Sequence, residues 1–259
     1  MAPSSSFRAL HHAELPLLLP NAWDVPSALA YVEAGFPAIG TTSFGVATSA
    51  GFPDGDGVTR DANLVLAARL ARLPVHVSVD IEDGYSNDPD EVAAYVASLV
   101  ELGIAGVNLE DSAEGRVLDP AVLASKVAAV KDRAAEVFVN ARVDTYWFHQ
   151  DDTVEATIAR ALAYVEAGAD GVFVPGLTDP ATIREIAAAV PAPLNVLITP
   201  GLSLRELADL GVRRVSTGSL PYRAAIDAAV HVATAVRDGE VPPAATSYAD
   251  AQARIRRYP

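Results

Sequence analysis

Three acidic side chains follow one short apolar run and are the first candidates for chemistry. The stretch Val75–Tyr85, VHVSVDIEDGY, starts as an alternating β-branched run and contains Asp80, Glu82 and Asp83 near its end. Carboxylates suit a hard divalent cation such as Mg²⁺, which takes oxygen ligands and retains several waters. The alternative is a polar loop before a helix, whose N-terminus also favours acids. Strand alternation turns Asp83 away from the face of Asp80, so we expect Asp83 to be structural.

Two other apolar runs also end in ionisable side chains. Glu110 closes the run GVNLE, and Arg142 closes VFVNAR. The guanidinium of Arg142 is a fixed fork that suits bidentate contact with a carboxylate or a phosphonate. The alternative, which is compatible with that role, is a salt bridge to Glu110 or to Asp144. Together the three runs predict one charged site shared by neighbouring strands.

The composition restricts both the partners and the catalytic groups. The chain has 259 residues, a formal net charge of −14 and no cysteine. Nucleic-acid and anionic-membrane partners are not expected, because both attract clustered Lys and Arg. A cysteine nucleophile, disulfides and thiolate metal sites are excluded. No apolar run approaches about 18 residues and no signal segment is recognisable, so we expect a soluble, cytoplasmic protein.

Strand-like and helix-like segments alternate along the chain. Eight of each in about 250 residues predict a closed parallel (β/α)₈ barrel of the TIM type, as a single domain over residues 1–259. An open doubly wound sheet is the alternative, but it would prefer a glycine-rich turn where this chain has PNAWD. The predicted strands are Leu17–Trp23, Ala38–Ser43, Val75–Asp80, Gly106–Glu110, Val137–Arg142, Gly171–Pro175, Leu194–Thr199 and Arg213–Gly218. The predicted helices are Pro26–Ala34, Asp61–Arg72, Asp90–Leu102, Ala121–Ala135, Val154–Ala167, Ala181–Ala189, Leu204–Leu210 and Ala224–Val236.

In such a barrel the functional site lies at the carboxyl ends of the strands. Alternation predicts that Asp80, Glu110 and Arg142 face the interior at one rim. Asn195 in the seventh strand is either a ligand contact or part of a polar network inside the barrel. The long connection Phe44–Arg60 has no predicted element, and a loop of that length is more often a working part than a connector.

Two smaller groups complete the candidates. Thr42, Ser43 and Gly45 follow the second strand and offer backbone N–H and hydroxyl donors to an anionic oxygen. His11 and His12 precede the first strand and are expected at the surface. No histidine spacing is typical of a zinc site.

The ordered motifs resemble those of the isocitrate lyase/phosphoenolpyruvate mutase superfamily, from about Phe7 to Tyr222. They are PNAWD, TTSFGVATSAGFPDG, VDIEDGY, GVNLED, VNARVDTY, GADGVFVPG and PLNVLITPG. The resemblance implies a Mg²⁺-dependent barrel, with Mn²⁺ as a possible substitute, that acts on a small 2-oxo acid or its phosphonate analogue. The metal and an arginine would locally reverse the negative field that an anionic substrate meets.

The resemblance also assigns roles to individual positions. Metal binding falls on Asp80, Glu82 and Glu110, and the catalytic groups are Arg142, Glu110 and Asp54. Substrate binding falls on Thr42, Ser43 and Phe44, whose backbone amides would hold the substrate carboxylate, together with Arg142. Asn195 is added to the substrate-binding candidates from its place in the seventh strand and not from the resemblance.

One departure from the family limits the reaction. The C–C lyases carry a K-K-C-G-H motif on a mobile loop after the fourth strand, whereas this chain has the short segment DSAEGRVLDP. Isocitrate or methylisocitrate cleavage by a cysteine is therefore not expected. The leading hypothesis is a lyase or decarboxylase of an oxaloacetate-like 2-oxo acid. The alternatives are a phosphonopyruvate hydrolase or phosphonomutase, and a non-catalytic 2-oxo-acid binding protein.

The resemblance further implies a homo-oligomer, a dimer or a tetramer. Members of the family exchange a C-terminal helix between neighbouring subunits. In this chain the segment Ala224–Val236 is the candidate for that helix.

Overall fold

A parallel sheet of short strands forms the centre of the computed structural model, which describes residues 6–55, 57 and 59–259. Among these residues, nine strands form one sheet in the order β1-β11-β10-β9-β8-β5-β4-β3-β2, and all their pairings are parallel. The strands are β1 Leu17–Leu19, β2 Asn21–Ala22, β3 Ala38–Thr41, β4 His76–Asp80, β5 Gly106–Glu110, β6 Ser112–Ala113, β7 Arg116–Val117, β8 Phe138–Arg142, β9 Gly171–Phe173, β10 Leu194–Leu197 and β11 Val212–Ser216. Strands β6 and β7 form a separate antiparallel hairpin.

The first predicted strand is divided in two, and this division joins the ends of the sheet. Pro20 separates β1 from β2 and has no N–H for a ladder. Strand β1 pairs with β11, and β2 pairs with β3. The sheet is thus a nearly closed ring with helices between its strands, which confirms the predicted (β/α)₈ barrel.

The helices cover the outside of this ring. They are α1 Phe7–Leu10, α2 Val25–Glu33, α3 Ser43–Ser49, α4 Arg60–Leu70, α5 Pro89–Glu101, α6 Pro120–Arg133, α7 Thr145–Phe148, α8 Val154–Glu166, α9 Pro180–Ala189, α10 Leu204–Asp209, α11 Leu220–Arg237 and α12 Tyr248–Arg256. The prediction that Phe44–Arg60 contains no helix or strand was wrong, because α3 extends through Ser49. The four helices α1, α3, α7 and α12 were not predicted.

Local sequence signals explain several helix starts. Asp88, Asp119 and Asp179 each precede a proline, and each carboxylate accepts a hydrogen bond from a backbone N–H in the first turn. Ser203 and Glu206 form the reciprocal capping box that their spacing predicts. These caps satisfy N–H groups that have no partner within the helix. They fix where each helix leaves the rim of the barrel.

Alternation along the strands separates an apolar layer from a polar interior. Val77, Val79 and Leu109 are fully or almost fully buried and belong to the main core between sheet and helices. On the opposite faces, Asp80 pairs in register with Asn108, and Asn108 pairs with Asn140. The predicted separation of apolar and polar side chains onto opposite strand faces is therefore confirmed at β4 and β5, and the pairing of Asn140 with Asn108 agrees with it at β8.

His11 is not a surface residue, and that prediction was wrong. Its ring is 1% exposed and stacks on Phe138 at a centroid distance of 4.2 Å. Its Nδ1 lies 3.0 Å from the carbonyl oxygen of Phe7. Helix α1 therefore folds back and seals the amino end of the barrel with a histidine, whereas His12 is exposed. Burial, assisted by the positive charge of Arg214, lowers the pKa of His11 to about 3.

This buried imidazole should make the protein sensitive to mild acid. An unfolded histidine takes up a proton near pH 6.5, whereas the folded one does so only near pH 3, so unfolding is favoured as the pH falls through that window. Each pH unit is worth about 1.4 kcal/mol, so the loss between pH 7 and pH 5 is about 2 kcal/mol. Urea unfolding at both pH values should show this loss in the wild type. The loss should be about 2 kcal/mol smaller in His11→Phe and unchanged in the matched control His12→Gln. Equal losses in all three would contradict the assignment.

The last long helix, α11, is poorly covered. Its apolar side chains are largely exposed: Leu220, Ile226, Val230, Val232 and Val236 are each between 39% and 62% accessible. Helix α12 instead folds back onto α2, where the guanidinium of Arg254 contacts the carboxylate of Glu33 at 2.6 Å. Among the described residues, no helix is both long enough and apolar enough to cross a membrane.

Candidate active site

Two adjoining cavities open at the carboxyl ends of the strands. The larger has a volume of about 650 Å³ and an acidic lining that includes Glu82 and Glu110. The smaller has a volume of about 230 Å³, and its lining includes Asp80. Both cavities are lined by Ser43, Asp54, Arg142 and Trp147. The side chains predicted at the carboxyl ends of the strands therefore line two cavities that share Arg142.

Asp80 is held at the end of β4 by its neighbours. One carboxylate oxygen accepts a hydrogen bond from the backbone N–H of Ser43 at 3.2 Å. Its own backbone N–H donates to the hydroxyl of Thr41 at 2.9 Å, and its carbonyl accepts from the amide of Asn63 at 2.6 Å. Burial raises the pKa of Asp80, while Arg142 and the Ser43 contacts counteract this. The side chain is therefore fixed, and its negative charge is poorly compensated.

Arg142 lies between two carboxylates. Its Nη1 is 2.7 Å from Glu110, and its Nε donates to Asp144 at 2.6 Å. Burial opposes the charge of Arg142, but Glu110 and Asp144 hold its pKa above the usual value. Burial also raises the pKa of Glu110 well above its usual value, although Arg142 lowers it. The salt-bridge alternative for Arg142 is thus present, and its guanidinium still lines both cavities.

A second layer of contacts holds Asp144. The hydroxyl of Ser112 donates to its carboxylate at 2.5 Å. Its backbone N–H donates to Asp111 at 2.9 Å, and Asp111 in turn accepts from Tyr164 at 2.7 Å and from Arg160 at 3.2 Å. The second acid of the GVNLED motif is thus a buried structural residue. It orients Asp144, which orients Arg142.

The carboxylate of Glu82 has hydrogen-bond partners outside the acidic cluster. Its backbone has a φ of 52°, a left-handed conformation that breaks the strand alternation. The carboxylate accepts hydrogen bonds from the hydroxyl of Thr59 and, at 3.3 Å, from the backbone N–H of Gly57. Burial raises its pKa. Glu82 thus connects the end of β4 to Gly57 and Thr59 in the segment after α3. Its role in metal binding stays a prediction.

Asp54 and Asp83 have different surroundings. Asp54 lies on the exposed lip shared by the two cavities, and partial burial of its carboxyl together with repulsion by Asp80 raises its pKa. Asp83 contacts the buried ammonium group of Lys126 at 3.4 Å and accepts from the backbone N–H of Tyr85 at 3.0 Å. The structural role predicted for Asp83 agrees with these contacts.

The residues predicted to bind substrate are already engaged in part. Thr42 caps α3, and its backbone N–H donates to the carbonyl of Ala22 at 3.3 Å. The Ser43 amide is taken by Asp80, while Phe44 lines the smaller cavity. Asn195 is fully buried and exchanges hydrogen bonds with Ser216 inside the barrel. The structure therefore places Asn195 in the interior polar network.

Two features of the site were not predicted. The segment DSAEGRVLDP forms the hairpin β6–β7, which Gln150 braces through hydrogen bonds to Val117 at 3.0 Å and Gly115 at 3.1 Å. The rings of Trp147 and Phe173 stand beside Arg142, with its guanidinium carbon 5.7 and 5.9 Å from their centroids. The aromatic signal was present in VDTYWF, directly after Arg142. The hairpin turn depends on left-handed backbone at Glu114 and Gly115, which residue types alone do not specify.

The donor set of the site fits a hard cation. Among the described residues, no three His, Cys, Asp or Glu side chains are already grouped for a metal ion. The charge of Asp80 nevertheless contributes to raising the pKa of Glu110, and both side chains carry only oxygen donors. Mg²⁺ commonly uses one or two carboxylates and completes its shell with waters and substrate oxygens. Asp80 and Glu110 can supply these two carboxylates, although Glu110 also forms a salt bridge with Arg142.

Comparison with known proteins now identifies the family. The family model described as phosphoenolpyruvate phosphomutase matches residues 7–237, which is most of the chain. The chain belongs to this family. It is therefore a member of the isocitrate lyase/phosphoenolpyruvate mutase superfamily, as its motifs predicted.

Several relatives of this superfamily member are similar over nearly its whole length. An uncharacterized protein of Mycobacterium tuberculosis is 57% identical over 98% of this chain and 97% of its own. A 2-methylisocitrate lyase of Bacillus subtilis is 32% identical over 86% of this chain and 77% of its own. An oxaloacetate decarboxylase of Ectopseudomonas mendocina is 32% identical over 86% of this chain and 81% of its own. The named relatives are lyases, which supports an enzymatic function for this phosphomutase-family protein.

Solved structures give the same family and fold. A proposed phosphonomutase from Burkholderia cenocepacia J2315 is 39% identical, with a TM-score of 0.82 over 88% of this chain and 97% of its own. A phosphonopyruvate hydrolase solved with oxalate and Mg²⁺ has a TM-score of 0.86. The match covers 99% of this chain and 96% of the hydrolase, at 24% identity. The similarity to the phosphonopyruvate hydrolase shows only that the two proteins share the barrel fold.

Proposed function

We propose that this protein is a Mg²⁺-dependent lyase or decarboxylase of a small 2-oxo acid, with oxaloacetate-like diacids as the first candidates. The observation that carries the proposal is the meeting of Asp80, Glu110 and Arg142 at one pair of cavities. The two carboxylates are the donors for the cation, and the guanidinium is the fixed positive group for the substrate.

The chemistry divides between the cation and the chain. Asp80 and Glu110, with Glu82 as the third predicted acid, would hold Mg²⁺ or Mn²⁺, and the bound cation would supply a Lewis acid for the 2-oxo group. In oxaloacetate the bond between C3 and the distal carboxylate breaks, CO₂ leaves, and the electron pair enters the pyruvyl fragment as an enolate. Arg142 faces that negative charge and needs no reorientation, because Glu110 and Asp144 already fix it. A solvent proton at C3 then completes pyruvate.

Three observations support this assignment. The oxaloacetate decarboxylase of Ectopseudomonas mendocina is related over most of both chains. A structure with the same fold carries Mg²⁺ together with oxalate, a planar two-carbon dianion. The hairpin β6–β7 brings no Cys, Lys or His to the rim, and decarboxylation needs only a cation, a fixed positive charge and a solvent proton.

An activity assay tests the proposal. Purified protein with Mg²⁺ should form pyruvate from oxaloacetate, or from a related small 2-oxo acid, faster than Mg²⁺ alone. Chelation with EDTA should remove the excess rate, and addition of Mg²⁺ should restore it. Mg²⁺-dependent oxalate binding without turnover of any oxo acid would instead indicate a binding protein and would overturn the lyase proposal.

Cleavage of a C–P bond is the second candidate function. The 39% identity to a proposed phosphonomutase favours it, because that similarity exceeds the similarity to the named C–C lyases. Phosphonopyruvate is the discriminating substrate. Formation of phosphate or phosphoenolpyruvate from it, with no pyruvate from oxaloacetate, would decide for this alternative.

We also propose that the protein is a homo-oligomer that exchanges or packs α11 between subunits. Five large apolar side chains of this helix are exposed in the single chain, and large exposed apolar surface typically marks an interaction site. Light scattering should give a dimer or a tetramer. A stable monomer at micromolar concentration would contradict this proposal without affecting the activity assay.

A further inference from the structure

Arg214 is a buried cation inside the barrel, on β11. Its side chain is 1% exposed, and it is among the largest fully buried residues. Its Nη2 donates to the carbonyl oxygen of the Asn108 side chain at 3.2 Å, and its Nε donates to the hydroxyl of Ser216 at 3.3 Å. Its Nη1 has no hydrogen-bond partner. No carboxylate in the described part of the chain lies within ion-pair distance of it.

An unpaired charge in this position is unfavourable for folding, because burial removes water that no counter-ion replaces. Burial lowers the pKa of Arg214 to about 9, and the carboxylate of Asp80 acts in the opposite direction. The stability of the fold therefore does not explain why position 214 is an arginine. A neutral side chain of similar length would fill the same space without the charge.

The contacts place this charge near the candidate metal ligands. Asn108, which Arg214 reaches across the barrel, pairs in register with Asp80. Asn108 also shares a strand face with Glu110, two residues further along β5. The guanidinium is thus hydrogen-bonded to the register partner of Asp80, inside the barrel.

We propose that Arg214 is a positioning residue that offsets the negative charge of Asp80 and Glu110 and so adjusts the site to bind an anion beside a cation. It touches neither ligand. This inference rests on the proposed function, since it concerns the same cation and the same anionic substrate. Without Arg214, the two carboxylates would attract a divalent cation more strongly and would repel an oxo acid more strongly.

The proposal therefore predicts two changes of opposite sign. At an effective dielectric constant near 20 and a separation of about 10 Å or less, removing one buried charge changes an ionic affinity by at least about tenfold. The affinity for Mn²⁺ should increase by about that factor. The affinity for oxalate, measured at saturating Mn²⁺, should decrease by a similar factor. A loss of packing or of one hydrogen bond would weaken both affinities or leave both unchanged.

The experiment compares three variants of the whole protein with the wild type. Arg214→Met removes the charge and the donors, Arg214→Gln removes the charge but keeps a donor for Asn108, and Arg214→Lys keeps the charge. Mn²⁺ binding is measured by electron paramagnetic resonance of free Mn²⁺, and oxalate binding by calorimetry. Both neutral variants should show the opposite shifts, and Arg214→Lys should stay close to the wild type.

Several results would overturn the proposal. Wild-type values in Arg214→Gln would show that the hydrogen bond to Asn108, and not the charge, is what matters. Unfolding of both neutral variants while Arg214→Lys remains folded would assign Arg214 to stability instead. A wild type that binds neither Mn²⁺ nor oxalate would contradict the proposed function itself. A wild type that binds both, with neutral variants that bind equally well, would contradict only the role of Arg214.

Discussion

Asp80→Asn should abolish Mg²⁺-dependent binding of oxalate while leaving the barrel folded. Asparagine has the same shape and can still accept the hydrogen bond from the Ser43 amide, but it lacks the charge that attracts the cation. Loss of residues that merely orient metal ligands costs about 10- to 100-fold in affinity, so loss of a ligand should exceed about 100-fold. Because burial raises the pKa of Asp80, the neutral amide should also leave the midpoint of thermal unfolding unchanged or higher.

Asp83→Asn is the matched control for this experiment. Asp83 belongs to the same four-residue acidic cluster, but its carboxylate is directed at Lys126 and at the backbone of Tyr85. Its substitution should lower the free energy of unfolding by about 1 kcal/mol and leave oxalate affinity within about twofold. Equal loss of oxalate binding in both variants would mean that the roles of the two acids are assigned incorrectly.

Arg142→Lys should separate the anion site from the cation site. Lysine keeps the positive charge, but its single ammonium group cannot replace the fork that contacts Glu110 at 2.7 Å and Asp144 at 2.6 Å together. Oxalate affinity at saturating Mg²⁺ should decrease by about 10- to 100-fold. The free energy of unfolding should decrease by about 2 kcal/mol, because one buried carboxylate loses a charged hydrogen bond. Mn²⁺ binding in the absence of oxalate should be retained.

Arg116→Lys is the matched control for Arg142→Lys, because it replaces another guanidinium, in the hairpin beside the larger cavity. Arg116 lies in the hairpin β6–β7, where its side chain is 75% exposed and 3.9 Å from Glu114. Its substitution should leave both the oxalate affinity and the stability unchanged. If Arg142→Lys bound oxalate as well as Arg116→Lys does, Arg142 would have no part in anion binding.

The part of the site that was predictable from sequence is the part that strand alternation controls. Asp80, Glu110 and Arg142 each end an apolar run, and parallel strands in a barrel bring such ends to one rim. Their order on neighbouring strands then followed from the eight repeated units. Residues that act from regular strand positions are therefore visible in the sequence, even without knowledge of the loops.

The residues that escaped prediction depend on irregular backbone or on contacts between distant segments. Glu82 follows β4 by only two residues, yet its left-handed conformation redirects the carboxylate to Thr59 and Gly57. His11 is buried because α1 folds across the end of the barrel and stacks it on Phe138. The Arg214 guanidinium reaches Asn108, 106 positions earlier in the chain. No local pattern contains any of these three contacts.

The hairpin β6–β7 stands where the sequence resemblance predicted that a catalytic cysteine loop is missing. It is short, and Gln150 fixes it to the segment after α7. Its residues Ser112, Ala113, Glu114 and Gly115 line the larger cavity. A hairpin without Cys, Lys or His is consistent with the proposed decarboxylation, in which the enolate would take its proton from water.

A crystal structure with Mg²⁺ and oxalate is the most direct test of the central claim. The account predicts the cation on the carboxylate of Asp80, with Glu110 beside it, and one end of oxalate facing Arg142 between the two cavities. Oxalate bound elsewhere, or a cation held without Asp80 and Glu110, would contradict it.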